Sequence, residues 1–361
     1  MPKVLILAAH RPNRSPSQRY RFEQYIPFLE TNGFQFIWAP LLNEKDDIVF
    51  YSNGNFFKKL LIVFRTIIKR RKDCRKLSEI DIVFIQRETH FLGISYFEKQ
   101  IKRTKCKIIF DFDDAIWIPD TSPGNKKWSW LKKPDKFFTS VRLADKVIAG
   151  NRFLLKKTTG ISRDAILIPT TIDTAIHKKI VNKPENNKVV IGWSGSLSTI
   201  KHFEMLIDVI KELKSKYKDR IEIKVLGDEN YVNEELGIVG TAWSPENEVR
   251  ELNSFDIGVM PLPNDEWAEG KCGLKALSYM ACEVPVVASA VGANMDIVSN
   301  EEDGFLVLSN DEWINTISRL IENSALRKSI GLKGRHKVIS KYSTEANKQK
   351  YLDAFVSCLT N

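Results

Sequence analysis

Short, continuously apolar runs alternate with stretches of helical spacing along the first half of the chain. A continuous apolar run suits a strand that is covered on both faces, and apolar residues every three or four positions are typical of a helix with one buried face. Because helical stretches separate the runs, the pattern predicts a parallel α/β sheet. The predicted strands are Val4–Ala8, Ile82–Ile85, Lys107–Asp111, Lys146–Ala149 and Ala165–Ile168.

The first predicted helix has Phe22, Tyr25, Ile26 and Leu29 on its apolar face. Pro27 lies inside this pattern and is expected to kink the helix, because a proline in a helix interior removes a backbone hydrogen bond.

The second half repeats the alternation after the polar segment Pro184–Lys188. Its first helix is expected to bury a face made of Phe203, Leu206, Ile210, Leu213 and Tyr217. The predicted strands are Val189–Trp193, Ile221–Leu226, Asp256–Met260, Val284–Ala288 and Phe305–Val307.

These patterns predict two Rossmann-like, doubly wound domains at residues 1–170 and 189–342, joined by a linker at 171–188. A final helix over 343–361 is expected to return to the first domain. Ligands of doubly wound sheets bind at the carboxyl ends of the strands, so two such domains in tandem are expected to face each other across a ligand-binding cleft.

Composition agrees with a globular protein of this size. Of the 361 residues, 43% are hydrophobic and 28% are charged. The first residues enter a strand without the long apolar segment of a signal peptide, and no run of about 18 apolar residues occurs. The five cysteines are scattered without C-x-x-C spacing, which disfavours disulfides or a zinc site and favours a cytoplasmic location.

Charge is unevenly distributed along the chain, whose formal net charge is +10. Residues 1–170 contain 32 Lys and Arg against 17 Asp and Glu, a balance of +15, whereas the remainder has 23 against 28, a balance of −5. We therefore expect the first half to meet an anionic partner, either a membrane surface, a nucleic acid or a phosphorylated acceptor. Nucleic acid is disfavoured because no helix-turn-helix, RNP or zinc pattern accompanies the charge.

The segment 56–76 concentrates this charge, with nine basic residues and one acidic residue. Two interpretations are open. The segment is an amphipathic helix on the inner, anionic face of a membrane, or a core-packing helix with a solvated basic end. Its apolar stripe consists of Phe57, Leu60, Leu61, Phe64, Ile67 and Ile68.

Two glycine-containing loops in the second half, Gly195–Thr199 and Gly270–Gly273, each follow a strand signal and precede a helix signal. Backbone N–H groups of such loops approach anions closely, and a helix N-terminus favours negative charge. Lys201 and Lys271 would neutralise a bound anion there without a metal ion or a cofactor. The alternative is that the glycines only form turns and the lysines are solvated. The loop residues expected to contribute are Gly195, Ser196, Thr199, Gly270, Cys272 and Gly273.

Arginines and aspartates follow two strands of the first half. Arg14, Arg19 and Arg21 come after the first strand. An arginine fork suits phosphate, so we expect Arg19 at the ligand-binding site and Arg14 and Arg21 on the side where a second, acceptor substrate would bind. Asp113 and Asp114 would orient an acceptor hydroxyl or take its proton. A metal site and a helix N-cap remain alternatives for this pair.

The segment Trp267–Ser289 resembles the signature region of glycosyltransferase family 4, the group of retaining GT-B enzymes. Its spelling, with G-K-C-G and Y-M-A-C, resembles one branch of that family. Five further segments resemble the same branch in the same order: Ser15–Gln24, Phe110–Trp117, Ala149–Asn151, Ile168–Asp173 and Phe255–Leu262.

The resemblance implies a retaining enzyme that transfers a hexose from a nucleotide diphosphate sugar to a glycan or lipid-linked acceptor in surface polysaccharide or glycolipid synthesis. Its C-terminal domain would hold the nucleotide, with Trp243 stacking on the base in the loop after a turn at Gly240. The alternative is an inactive GT-B protein that binds glycans or acts as a scaffold. An NAD-dependent enzyme is disfavoured because no G-x-G-x-x-G follows a first strand.

Three positions depart from the family pattern. In the R-L-x-x-x-K motif the lysine is present as Lys201, but Ser196 occupies the place of the arginine. The two paired glutamates fall on Gly270 and Ser278, and Glu269, one position early, is expected to reach the sugar hydroxyls in their place. We expect Ser278 to offer only a weaker, neutral hydrogen bond to the ribose.

Overall fold

Each half of the chain forms a largely parallel sheet of its own. The computed structural model describes residues 1–118, 133–180 and 187–360, so the middle of the predicted linker, 181–186, lies outside the described residues. The chain divides into two units, one made of Met1–Thr170 with Asn347–Asn361 and the other of Thr171–Ala346.

The first unit contains six parallel strands in the order β2-β1-β3-β4-β5-β6. The strand β2 was not predicted, although Phe36, Ile37, Trp38 and Ala39 form an apolar run within it. The strands are β1 (Lys3–Ala8), β2 (Gln35–Pro40), β3 (Ile82–Gln86), β4 (Lys107–Phe112), β5 (Lys146–Ala149) and β6 (Ala165–Leu167).

The helix predicted after β1 is divided into shorter pieces. A short 3-10 turn at Glu23–Tyr25 separates two helices, and Pro27 lies in the first turn of the second one. Pro27 therefore does not kink this helix, since a proline is tolerated in the first turn, where the backbone N–H has no helical partner. The helices of this part of the unit are α1 (Pro16–Arg19), α2 (Ile26–Thr31), α3 (Glu44–Tyr51), α4 (Phe56–Arg75), α5 (Tyr96–Lys102), α6 (Asp135–Leu143) and α7 (Arg152–Lys156).

The second unit contains seven strands in the order β13-β12-β11-β7-β8-β10-β9, and β9 runs antiparallel to β10. The expected turn at Gly240 is wrong, because Gly240 lies inside β10. The strands are β7 (Val189–Ser194), β8 (Ile221–Leu226), β9 (Val232–Asn233), β10 (Ile238–Thr241), β11 (Ile257–Met260), β12 (Val286–Ser289) and β13 (Phe305–Val307).

The first helix predicted in this unit is interrupted after Glu204, yet its apolar face is buried as the spacing predicted. The helices here are α8 (Ile200–Glu204), α9 (Ile207–Tyr217), α10 (Glu248–Ser254), α11 (Glu266–Glu269), α12 (Leu274–Ala281), α13 (Asn294–Ile297), α14 (Asn310–Glu322) and α15 (Ser324–Lys337).

The last helix, α16 (Thr344–Thr360), supplies apolar side chains to the core of the first unit. The ring of Tyr351 stacks on Tyr25 with centroids 4.2 Å apart, and Phe355 stacks on Phe84 at 5.8 Å. Large aromatic side chains dominate the free energy of such cores, so this helix is an integral part of the first unit.

The helix α4 has an inverted polarity. The side chains that it buries are Lys59, Ile62, Thr66 and Arg70. The Lys59 ammonium donates to the carbonyl of Ser52 at 2.6 Å, and the Arg70 guanidinium donates to two backbone carbonyls at 2.8 and 3.0 Å. These bonds satisfy most of the buried polar groups, and one terminal nitrogen of Arg70 has no partner among the described residues.

Most of the apolar stripe predicted on this helix therefore faces solvent. Phe57 is 79% exposed, and Leu61 and Phe64 are each 61% exposed, so the core-packing interpretation of the stripe is wrong. No helix within the described ranges is both long and apolar enough to cross a bilayer.

A buried ion pair ties the loop after β1 to β4. Arg21 and Asp111 are both fully buried, and the guanidinium donates to the two carboxylate oxygens at 3.3 and 2.5 Å and to the carbonyl of Ile168. Arg21 is thus committed to the core, which corrects its expected place on the acceptor side.

Replacing Asp111 with Asn should destabilise the first unit by about 3–5 kcal/mol, because the Arg21 charge would stay buried without its counter-charge. Denaturant unfolding with a probe in the first unit measures this change. As a control, Glu301→Gln breaks an exposed 2.9 Å pair with Arg319 and should cost less than about 1 kcal/mol. Equal effects of the two substitutions would contradict a structural role for the buried pair.

Candidate functional site

The loop that follows β7 is closely packed and internally bonded. The backbone N–H of Ser196 donates to the Thr199 hydroxyl at 3.0 Å, and that hydroxyl donates to the Ser196 carbonyl at 3.0 Å. A Cβ on Gly195 would lie 2.2 Å from the Trp193 ring, so only glycine fits there. Lys201 follows in α8 and is exposed.

Two lysines of the second unit lie against one indole ring. The ammonium of Lys271 is 3.6 Å from the centroid of Trp267, and that of Lys201 is 5.3 Å from the same centroid. Lys201, which follows the loop at 195–199, and Lys271, in the loop at 270–273, therefore lie at the same ring. A positive charge over an indole face is attracted by the ring quadrupole.

His202 and Lys275 adjoin these lysines and were not predicted from the sequence. The His202 ring packs edge-on against Trp267 with centroids 5.1 Å apart, and the Lys275 ammonium is 5.3 Å from the Trp193 centroid. Burial, followed by the positive charges of Lys275, Lys201 and Lys271, lowers the pKa of His202 to about 4. Burial, followed by the charge of Lys271, lowers the pKa of Lys275 to about 8.

The helix α12 is held against the sheet by Tyr279. Its hydroxyl accepts a hydrogen bond from the backbone N–H of Ser194 at 2.8 Å, and its ring covers Gly258, where a Cβ would lie 2.5 Å from the ring. The helix begins at Gly273, whose φ of 69° favours glycine and whose added Cβ would lie 2.1 Å from Ile297. These contacts fix the position of the first turn of α12 against the sheet.

The other residues predicted to bind the donor substrate differ in their burial and contacts. Ser278 is buried, and its hydroxyl donates to the Leu274 carbonyl at 2.9 Å, so its hydrogen is already in use. Gly270 and Glu269 lie at the end of α11, Cys272 is half-buried, and Trp243 is 36% exposed in the loop after β10.

At the carboxyl end of β4, Asp113 and Asp114 meet an arginine that the sequence did not reveal. Arg87 donates through Nε to Asp113 at 2.7 Å and through a terminal nitrogen to Asp114 at 3.4 Å. Its φ of 61° is unusual for a residue with a side chain, and such strain is concentrated at functional positions. No helix follows Asp114 directly, so the N-cap interpretation of the pair is wrong.

Arg14 and Arg19, the two remaining predicted arginines, differ in their contacts. Arg14 is half exposed and donates to Asp47 at 2.5 Å, and Arg19 lies 5.1 Å from the ring centroid of Tyr20. In the part of the chain that the structure describes, no group of three or more His, Cys, Asp or Glu side chains is arranged to hold a metal ion.

Comparison with known proteins places most sequence similarity in the second unit. Residues 188–323 match the family model for glycosyl transferases group 1. The capsular polysaccharide biosynthesis glycosyltransferase CapM of Staphylococcus aureus is 30% identical over 171 residues, which cover 44% of this chain and 44% of CapM. The chain thus spans less than half the length of the first curated relatives that it matches.

Similarity of fold extends over the whole chain. Sucrose-phosphate synthase from Thermosynechococcus elongatus gives a TM-score of 0.74 at 15% identity, covering 100% of this chain and 99% of that one. Anabaena HepE, solved in complex with UDP and glucose, gives 0.69 at 14% identity, covering 99% and 100%. Residues 188–323 therefore resemble the glycosyl transferases group 1 family, and the chain has the GT-B fold that its sequence motifs predicted.

Proposed function

We propose that the protein is a retaining glycosyltransferase that moves a hexose from a nucleoside diphosphate sugar to a hydroxyl of a glycan or lipid-linked acceptor. The observation that carries this proposal is the grouping of Lys201 and Lys271 at one indole, inside the segment that matches the glycosyl transferases. CapM is a glycosyltransferase of capsular polysaccharide biosynthesis, which favours surface polysaccharide synthesis as the process.

In this proposal the second unit stabilises the leaving diphosphate. Negative charge grows on the diphosphate as the glycosidic bond breaks, and preorganised cations lower the free energy of that transition state. Lys201 and Lys271 supply the charge, and Gly273 lets the start of α12 approach the phosphates. Trp243 is exposed enough to stack on the base.

The first unit would orient the acceptor. Asp113 and Asp114 accept the acceptor hydroxyl, Arg87 holds the two carboxylates in place, and Arg14 and Arg19 meet acceptor phosphates or the donor. The inactive-scaffold alternative is not favoured by the family match, and transfer of radiolabel from nucleotide sugars distinguishes it from an enzyme. A thermal-shift screen of UDP-, GDP-, ADP- and CMP-linked ligands would identify the donor for the experiments below.

Lys201→Ala should lower kcat/KM for the donor by about 2–4 kcal/mol of transition-state stabilisation, because one charged contact to the diphosphate is lost. Steady-state kinetics with the identified donor measures it. Lys211→Ala removes an exposed lysine paired with Glu235 and serves as the charge-matched control. An unchanged kcat/KM in Lys201→Ala would remove this lysine from the site.

Transfer should persist in excess EDTA, because we propose that lysines take the role that a divalent cation plays in metal-dependent transferases. The measurement is the transfer rate with and without chelator. Complete loss, restored by Mg²⁺ or Mn²⁺, would assign Asp113 and Asp114 a metal-binding role instead.

We further propose a cytoplasmic protein that binds the inner face of a membrane through α4. An exposed row of large apolar side chains beside lysines and arginines suits the headgroup region of an anionic bilayer. The polar groups that this helix buries are already bonded to backbone carbonyls, so the apolar row is left facing outward. The charge of +15 on residues 1–170 adds attraction to the same surface.

The protein should co-sediment with anionic liposomes at low ionic strength and less with neutral ones. Changing Lys58, Arg71, Lys72 and Arg75 to Gln should release it, since each basic residue contributes about 1 kcal/mol at an anionic surface. Arg70 is left unchanged because it is buried.

Phe57→Ser with Phe64→Ser should also release the protein, whereas Leu308→Ser, at a position that is 69% exposed elsewhere on the chain, should not. If the wild-type protein ignores anionic liposomes at low salt, the membrane assignment fails and a soluble anionic acceptor explains the charge.

A further inference from the structure

A group of positive charges surrounds His202 in the second unit. Lys201 and Lys271 lie over Trp267, against which His202 packs, and Lys275 lies over Trp193. All three ammonium groups disfavour protonation of the His202 ring. The group therefore combines residues from α8, from the loop at 270–273 and from the first turn of α12.

Within this group, Lys275 is the cation that most raises the free energy of the folded protein when no anion is bound. Its side chain is half-buried, its ammonium lies over the Trp193 ring, and the charged group that affects it most is another ammonium, that of Lys271. Within the described residues, neither Lys275 nor Lys201 has an ion pair with a carboxylate. A desolvated cation with a like charge beside it raises the free energy of the folded protein unless an anion binds.

Buried polar atoms nearby also lack partners. Both ring nitrogens of His202 and Nε1 of Trp193 make no hydrogen bond within the described residues, although these side chains are only 3% and 1% exposed. Asp265 affects the same histidine, but its carboxylate caps α11 by accepting from the N–H of Ala268 at 2.8 Å. Unpaired buried groups of this kind mark a place where a ligand completes the structure.

We propose that Lys275 is a third cation for the donor diphosphate and supplies the charge of the arginine that Ser196 replaces in the R-L-x-x-x-K pattern. This inference rests on the proposed function and adds a residue that neither glycine-containing loop contains. Lys275 lies in the first turn of α12, one turn before Ser278, where the helix N-terminus also favours an anion.

The replacement has a chemical consequence. An arginine fork recognises two phosphate oxygens in a fixed geometry, whereas a lysine acts as a point charge. A site built from three lysines would therefore bind the diphosphate mainly through its charge. It should bind inorganic pyrophosphate as well as UDP or GDP, and binding should weaken steeply with salt.

Lys275→Met tests this assignment, with Lys211→Met as a control that removes the same charge from an exposed helix position. Isothermal titration with inorganic pyrophosphate, UDP and GDP should show at least a tenfold weaker Kd in Lys275→Met and no change in Lys211→Met. Without ligand, Lys275→Met should unfold at a higher temperature than the wild-type protein, because a half-buried cation beside the like charge of Lys271 has been removed. Lys275→Arg should restore most of the affinity.

The outcomes separate this inference from the function on which it rests. If Lys275→Met leaves the Kd values unchanged while the wild-type protein binds UDP or GDP, the Lys275 assignment is wrong and the proposed function stands. A lower unfolding temperature with unchanged affinity would make Lys275 a structural residue. If the wild-type protein binds none of the three probes, the proposed function and the assignment fail together.

Discussion

The hydrogen bond between Tyr279 and the backbone of Ser194 fixes the geometry on which the second unit's candidate site depends. It ties α12 to the carboxyl end of β7, and the ring of Tyr279 lies flush on Gly258 of β11. Burial raises the pKa of Tyr279 to about 12, so the phenol stays protonated and retains its hydrogen. Because α12 cannot slide along the sheet, Lys271 and Lys275 lie close to Lys201 of α8.

This arrangement is the basis for proposing an anion site in a chain that lacks the paired glutamates of the family 4 pattern. The family 4 pattern places both acidic and basic side chains at the donor substrate, whereas the lysines here lie beside two indole rings. Aromatic faces tolerate ammonium groups without requiring a carboxylate. The Ser278 hydroxyl donates to the Leu274 carbonyl of its own helix, so this residue stabilises α12 and adds no charge to the site.

In the first unit, tertiary contacts reverse the usual assignment of polar and apolar side chains. Arg21, Arg70 and Lys59 are buried, and each donates to backbone carbonyls or to a buried carboxylate. Phe57 and Phe64 face solvent on the same molecule. Buried cations are stable only where such acceptors are already in place, so the sheet and its loops must form around them.

The sequence by itself determined the two parallel sheets, the apolar faces of the early helices, and the family resemblance in Trp267–Ser289, because these depend on local periodicity and on contiguous motifs. It also predicted Lys201 and Lys271 as site residues, since one follows and the other lies within a glycine-containing loop. It did not reveal Arg87, His202 or Lys275, whose partners are distant along the chain or lie on another helix.

Only the tertiary structure decided which face of α4 is buried and that Arg21 belongs to the core. A helical pattern shows which apolar side chains share one face of a helix, but not whether that face points to the core or to solvent. That direction depended on whether the carbonyls of Ala39 and Thr89 were available to satisfy Arg70, and those carbonyls come from separate parts of the fold.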